Sequence, residues 1–290
     1  MDEKIFLDGN FFKKEDAKIS VFDHGLLYGD GVFEGIRAYN RKVFKLKEHL
    51  DRLYVGAEII KLQIPMSKAE LEDAVIKLLL ENKLDDAYIR VVVTRGVGDL
   101  GLDPRKCKKA TVFIIAGKIV LYPEKYYENG LPIIIAKTRR NHPFSINPCV
   151  KSLNYLNNIF AKIEAVEKNV EEALMLTIDG FVCECTGDNI FIVKNGKLIT
   201  PPNEIGALNG ITQGAVISLA KKRNILFSYL MMKPEDIYTA DECFLTGTAA
   251  EVIPVVAVDG KVIGTGKPGD VTKSLIQDFR ALVKLEGVKY

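Results

Sequence analysis

The stretch NPCVKSLNYLNN, residues 147–158, sets one cation, Lys151, among residues that otherwise read as protein interior. No acid stands near it in sequence. Such a lysine is open to two readings. Its stem packs while its ammonium reaches water, or it is a desolvated amine poised to condense with a carbonyl compound. The second reading needs company: a carboxylate to face a ring nitrogen, an anion site for a phosphate, a phenol, and a substrate pocket. The chain offers candidates for each. Glu184, in GFVCECTGDNIF, ends a hairpin strand between two cysteines, and a buried carboxylate there would want a cationic partner; it also reads as an exposed edge-strand acid. Tyr155 lies four residues beyond Lys151 and shares its side if a helix has begun there. NGITQGA opens a helix near Gly210 with Thr212 in its first turn, where free N–H groups suit an anion. LTGTAAE runs a strand into a turn whose Gly247, Thr248 and Ala249 amides can aim at a second anion. Either segment is equally a plain cap or turn. Arg52 sits in a helical stretch whose periodicity does not single it out, and it also reads as a surface arginine.

The elements that must position these residues follow from pattern. KIFLDGNFF predicts a hairpin turning at Asp8-Gly9, and FEGIRAYNRKVFKL another near Asn40. The period then changes. Leu46, Leu50, Leu53, Tyr54, Ala57 and Ile60 share one face of a helix over 46–61. A second helix follows Ser67, which with Glu70 makes a capping box, and turns Leu71, Ala74, Val75, Leu78 and Leu79 inward. AYIRVVVTR and ATVFIIAGK are strands. A small α+β domain is expected over 1–118, a linker over 119–130, and a larger domain over 131–290. The larger domain opens with the strand LPIIIAKTRR. A helix over about 154–168 is expected to bury Leu156, Ile159, Phe160 and Ile163. Hairpins turn at Asp179-Gly180 and Asn195-Gly196, a helix runs from about 210 to 223, and strands follow at 225–230, 241–246 and 252–263 with a turn at Asp259-Gly260. A helix over about 270–285 closes the chain. Antiparallel strands dominate both α+β domains.

Composition narrows the class. The 290 residues are 48% hydrophobic and 27% charged with a net charge of +2, which is ordinary for a globular chain and lacks the basic tract of a nucleic-acid binder. The five scattered cysteines and the mixed start MDEKIFLDGN point to reduced thiols in the cytoplasm. Cys183 and Cys185 alternate on one strand face, where buried thiols are the default. No apolar run approaches the ~20 residues of a membrane helix. The scattered His24, His49 and His142 argue against a zinc site. GVGDLG at 96–101 fits G-x-G-x-x-G, but Pro104 and a basic loop stand where a dinucleotide fingerprint needs a helix. GTGKPG near 264 lacks the spacing of a P-loop and is a turn.

Taken in chain order, YGDGVFEGIRAY, HLDRL, YIRVVVTRG, KSLNYLNN, ECTGDNIF, NGITQGA and LTGTAAEVIPV resemble the fold-type IV pyridoxal-phosphate aminotransferases, a D-amino-acid aminotransferase-like fold. They most resemble the branched-chain amino-acid aminotransferases. The resemblance implies pyridoxal 5'-phosphate as cofactor and transfer of the amino group of leucine, isoleucine or valine to 2-oxoglutarate in a ping-pong cycle. It implies that Lys151 carries the cofactor and moves the proton, so that its amine is neutral or condensed for much of the cycle, with Pro148 and the following helix aiming its chain. Glu184 would keep the pyridine nitrogen protonated, Tyr155 would bond the ring oxygen, and Arg52, Gly210, Ile211, Thr212, Gly247 and Thr248 would hold the phosphate. Thr248 and Ala249 would receive the substrate carboxylate, Tyr28, Phe33 and Tyr88 would line the side-chain pocket, and Arg90 would meet the second carboxylate of glutamate. It implies a homodimer at least, with hexamers also known in the family. GVGDLGLDP has no histidine where a D-amino-acid transaminase would carry an arginine–histidine carboxylate trap, and Arg90 favours the branched-chain enzymes over an aminodeoxychorismate lyase as well.

Overall fold

Strand alternation and tight turns build the first layer. β1 (Lys4–Leu7) and β2 (Asn10–Lys13) pair antiparallel through Asp8-Gly9, and β3 (Gly31–Tyr39) and β4 (Lys42–Val43) pair through Asn40-Arg41. Asn40 and Arg41 have φ of 43° and 60°, the left-handed pair that a two-residue hairpin of matching twist requires. Between the hairpins lies the short helix α1 (His24–Tyr28), capped by Asp23, whose carboxylate accepts from the Gly25 amide. The computed structural model describes residues 3–118 and 122–290.

The first sheet runs β16-β4-β3-β5-β6-β1-β2, all antiparallel, with β5 (Ala87–Thr94), β6 (Thr111–Gly117) and β16 (Val288–Lys289) from the end of the chain. Helices α2 (Leu46–Ile59) and α3 (Lys68–Glu81) bury the expected leucines and valines against one face of it. The capping box of α3 is present. Ser67 Oγ accepts from the Glu70 amide at 3.2 Å and Glu70 Oε2 accepts from the Ser67 amide at 2.7 Å, a pairing worth about 1 kcal/mol.

The second sheet runs β12-β11-β10-β13-β14-β7-β8-β9, with β15 (Lys261–Val262) paired to β14. Its members are β7 (Leu131–Ile135), β8 (Glu172–Leu176), β9 (Val182–Cys185), β10 (Asn189–Lys194), β11 (Lys197–Thr200), β12 (Phe227–Tyr229), β13 (Glu242–Gly247) and β14 (Glu251–Val258). The β14–β7, β7–β8 and β11–β12 pairs are parallel and the rest antiparallel. Helices α4 (Glu124–Asn129), α5 (Leu156–Glu167), α6 (Ile211–Lys222), α7 (Pro234–Tyr238) and α8 (Asp270–Leu285) complete the chain. No helix among the described residues is long and apolar enough to cross a membrane.

The chain divides into two compact units. One comprises Met1–Val120, Val150–Asn154 and Val283–Tyr290; the other comprises Leu121–Cys149 and Tyr155–Leu282. Two segments of the expected 131–290 domain therefore sit with the first unit. The reason is pairing. Ser152 bridges Val32, the Phe33 amide donates to Lys151 O at 2.9 Å, and the Leu153 amide donates to Gly31 O at 3.0 Å. Of the expected linker, 119–121 lie outside the described residues, and Glu124–Asn129 is α4, whose buried Tyr127 donates its hydroxyl to Ala250 O.

One helix is inverted relative to the pattern. Leu156, Ile159, Phe160 and Ile163, expected inward, are 65%, 48%, 55% and 46% exposed. The inward face of α5 carries Asn158, Ala161 and Ala165, and the alanines pack on Ala136, Ala173 and Met175. Small side chains let the helix lie close to β8, and the large apolar ones then face out.

Candidate active site

In the first unit, β3 and β5 pair with Gly35 opposite Arg90 and Arg37 opposite Tyr88. Alternation puts Phe33 and Gly35 on the sheet face that bears Tyr88 and Arg90. The Arg90 guanidinium lies 4.5 Å from the Phe33 ring centre and 5.5 Å from that of Tyr88, and its Nη2 donates to the Tyr88 hydroxyl at 3.1 Å. Gly35 makes room for this: a Cβ there would come within 2.1 Å of the Tyr88 hydroxyl oxygen. Lys151 brings its Nζ to 4.7 Å from the Phe33 ring centre. The backbone bond from Phe33 to Lys151 O fixes the base of that side chain. Strand pairing with β3, rather than Pro148 and a following helix, thus aims the lysine. Four expected residues, Lys151, Phe33, Tyr88 and Arg90, meet in this way. Tyr28, the last residue of α1, donates its hydroxyl to Leu100 O at 2.5 Å, which ties it to the 99–101 loop.

The opposite face of β3 carries Glu34, fully buried, and α2 supplies its partners. Arg52 is not a surface arginine: it is 13% exposed and grips Glu34 through Nε at 2.6 Å and Nη2 at 2.7 Å. His49 Nδ1 lies 2.8 Å from Glu34 Oε2. Burial alone would raise the Glu34 pKa, but Arg52 and the hydrogen bonds outweigh it and hold the carboxyl at about 2. Burial lowers the pKa of His49, and the nearby Arg52 and Lys151 charges lower it further, against the pull of Glu34. The cluster is therefore an Arg–carboxylate ion pair with a neutral imidazole, whose Nδ1–H donates to the carboxylate.

In the second unit, Glu184 is buried on β9 and paired. Arg140 Nη2 lies 2.6 Å from its Oε1, and the Leu208 amide donates to its Oε2 at 2.8 Å. Arg140 is itself held by Gly206 O and Asn158 Oδ1. Each carboxylate oxygen thus has a donor, as an acid set in an apolar wall requires, and Cys183 and Cys185 are buried on either side. Burial first, then the Glu184 charge, pushes the Cys183 thiol well up, so it stays protonated.

Helix α6 starts at Ile211 with Gly210 as its N-cap and no side-chain cap on its first amides, and Thr212 is buried in its first turn. A side chain at Gly210 would have to displace Asn189, since a Cβ would sit 2.0 Å from its Oδ1. At the end of β13, Gly247 likewise has no room for a side chain against Asp188. Thr248 and Ala249 form the turn into β14, and the buried Thr246 hydroxyl has no hydrogen-bond partner among the described residues. Uncapped amides, hydroxyls and glycines that leave the backbone bare are the donor set a phosphate monoester satisfies. The residues present fit a phosphorylated cofactor.

Tyr155 is the N-cap of α5, and the helix begins only at Leu156. The helical i,i+4 relation of Tyr155 to Lys151 therefore does not hold. Sequence reasoning missed Glu34, His49 and Arg140. A signal for Glu34 existed, because Glu34 occupies an inward strand position between Val32 and Ile36. His49, three residues before Arg52, lies on the same side of α2. Arg140 lies in coil and has no periodic signal.

The two-sheet α+β chain brings a lysine to an aromatic–arginine wall and carries a buried carboxylate and glycine-bared anion donors. The chain belongs to the amino-transferase class IV family, which its residues 31–258 match. It is 54% identical over 286 residues to a protein of Methanocaldococcus jannaschii provisionally named a branched-chain-amino-acid aminotransferase, covering 99% of this chain and 98% of that one. Its structure is similar to that of the branched-chain amino acid aminotransferase of Escherichia coli, with a TM-score of 0.95, 36% identity, and coverage of 98% of this chain and 95% of the other. It is also similar to the branched-chain amino acid aminotransferase of Thermobaculum terrenum in its PLP-bound holo form, with a TM-score of 0.88, 29% identity, and coverage of 97% and 94%.

Proposed function

We propose that this chain is a branched-chain L-amino-acid aminotransferase that uses pyridoxal 5'-phosphate to pass the amino group of leucine, isoleucine or valine to 2-oxoglutarate. The observation that carries this reading is the placement of Arg90 between Phe33 and Tyr88, with Lys151 against the same Phe33 ring. Phe33 and Tyr88 offer an aliphatic chain an apolar wall. Arg90 offers a second carboxylate a half-buried cation steered by two rings. One pocket so built takes both an aliphatic donor and an acidic acceptor.

Bound pyridoxal phosphate supplies an electron sink for the carbanion formed at the substrate Cα. Lys151 would hold it covalently and, once a substrate amine had displaced that bond, its freed Nζ would be the base placed to move the Cα proton. Glu184, held by Arg140 and the Leu208 amide, would keep the ring nitrogen protonated. Tyr155 donates to the ring oxygen. Arg52 and, separately, the Gly210, Ile211, Thr212, Gly247 and Thr248 donors would bind phosphate oxygens, and the Thr248 and Ala249 turn would receive the substrate carboxylate. Tyr28 closes the side-chain pocket. We assign a homodimer as the working assembly, hexamers being a further step, and the outward apolar face of α5 supports association. The unpaired thiols Cys183, Cys185 and Cys243 fit a reducing cytoplasm.

The test is a panel of L- and D-amino donors against 2-oxoglutarate. Turnover of leucine, isoleucine and valine is expected. Turnover of D-alanine with inert leucine overturns the reading.

A further inference from the structure

We propose that a basic cleft in the first unit, where the end of α2 meets the 104–110 segment, binds a small soluble anion carrying two or more phosphates, of the nucleoside diphosphate class. The cleft has a volume of about 530 Å³ and is lined by Lys61, Arg95, Arg105, Lys108 and Lys109, with Leu62, Pro65, Pro104 and Ala110 among its apolar walls. No aspartate or glutamate lines it. None of its lining residues is assigned above to cofactor or substrate, so the inference is independent of the transaminase reading.

The charges divide into those already balanced and those not. Arg95, 9% exposed, is the fixed floor: Nε and Nη2 donate to Asp30 at 2.9 Å each, Nη1 to Lys61 O at 2.6 Å, and Nη2 to Ile60 O at 2.8 Å. It thereby satisfies the carbonyls just past α2, the partially negative end of that helix. Arg105 is matched by Asp103, which accepts from its Nε and Nη2. Lys61, Lys108 and Lys109 remain, and none of the three makes an ion pair among the described residues. With the Ile60 and Lys61 carbonyls taken up by Arg95, and Asp30 and Asp103 committed to Arg95 and Arg105, no ion pair among the described residues compensates these ammonium groups. Three like charges around a concave, partly apolar wall focus the field into the cleft and favour a compact polyanion over water. Pro65 and Pro104 give the flat apolar part of such a ligand a surface to lie on.

The measurement is calorimetry with the holoenzyme in excess pyridoxal phosphate, which keeps the cofactor's own phosphate site filled. ADP and inorganic pyrophosphate are the probes. ADP is expected to bind with a Kd below about 1 mM and to weaken as salt rises. Lys108→Gln/Lys109→Gln, at exposed positions, should weaken it by at least about tenfold while leucine turnover stays unchanged. Lys61→Asn, chosen because Lys61 has φ of 55° and asparagine tolerates that backbone, should do the same independently. Pyrophosphate binding equal to that of ADP supports the charge assignment and removes the apolar wall from it. The proposal is overturned by no binding of either probe, by equal affinity in the lysine variants, by competition from pyridoxal phosphate, or by a DNA duplex binding more tightly than ADP through the same lysines.

Discussion

Glu34 engages Arg52 with both carboxylate oxygens, Oε1 at 2.6 Å from Nε and Oε2 at 2.7 Å from Nη2, and it does so with no exposed surface of its own. The pair sets the direction of the guanidinium. Glu34→Gln leaves a largely buried cation with a neutral partner, and removing one member of a buried pair costs about 3 kcal/mol or more. The thermal midpoint should drop, and the affinity for pyridoxal phosphate should fall in the variant that still folds. Unchanged cofactor affinity in a folded Glu34→Gln protein would remove Arg52 from the phosphate site.

Lys151 touches Phe33 by its side chain and by its backbone, so truncation to alanine removes the amine without disturbing the pairing to β3. Lys151→Ala should keep its fold by circular dichroism and lose at least about a thousandfold in turnover. Borohydride should fix the cofactor to Lys151 in the parent and to no residue in the variant.

On the proposed reading, Arg90 separates the two substrates. Arg90→Met keeps an apolar filler between Phe33 and Tyr88 but removes the cation. Charged hydrogen bonds are worth about 1.5–3 kcal/mol, so KM for 2-oxoglutarate should rise by roughly ten- to hundredfold. The leucine half-reaction, followed alone in single turnover, should change little. An equal effect on both halves would place Arg90 outside the acceptor's second carboxylate.

Two buried groups give the pH response a sign. His49 is held below its ordinary value of 6.5, mainly by burial. Below that pH the unfolded chain takes up a proton that the folded one refuses, so stability is full above 6.5 and declines as the pH falls. Glu34 is held at about 2 against an ordinary 4.5, so its contribution is present above 4.5 and disappears as the pH falls through 2. Thermal midpoints measured from pH 8 to 4 should be flat and then fall below 6.5, and His49→Gln should make that fall shallower.

The outward side of α5 gives a prediction about assembly. Phe160→Asp places a charge on a face already 55% exposed at that residue, so the fold should tolerate it. Light scattering should show a smaller species than the parent. A parent that is monomeric at micromolar concentration would remove the dimer from the proposal.

Legibility varied with what each signal encodes. The helices α2 and α3 could be read because their apolar positions repeat at helical spacing and Ser67-x-x-Glu70 marks a start by local chemistry alone. The hairpins at Asn40 and Asn195 could be read because only a few residues accept the left-handed turn. The α5 periodicity correctly marks a helix but names the wrong face, since period says where apolar residues align and not which layer meets them. There the alanines decide, because close approach to β8 leaves no room for leucine. On the site, Phe33, Tyr88, Arg90 and Lys151 lie together in the first unit. Glu34 and Arg140 are the counter-charges of expected residues, and such partners are set by tertiary contact: Glu34 is 18 residues from Arg52, and Arg140 lies in coil.

The five residues of Val150–Asn154, and the chain's end at Val283–Tyr290, belong with a unit otherwise built from Met1–Val120. No single cut therefore releases either unit whole. A fragment stopped near residue 130 would lack Lys151 together with the edge strand β16, and it should emerge insoluble or loosely folded. During synthesis the first unit therefore closes in stages, first when residues 150–154 reach β3 and again when Val288–Lys289 dock on β4.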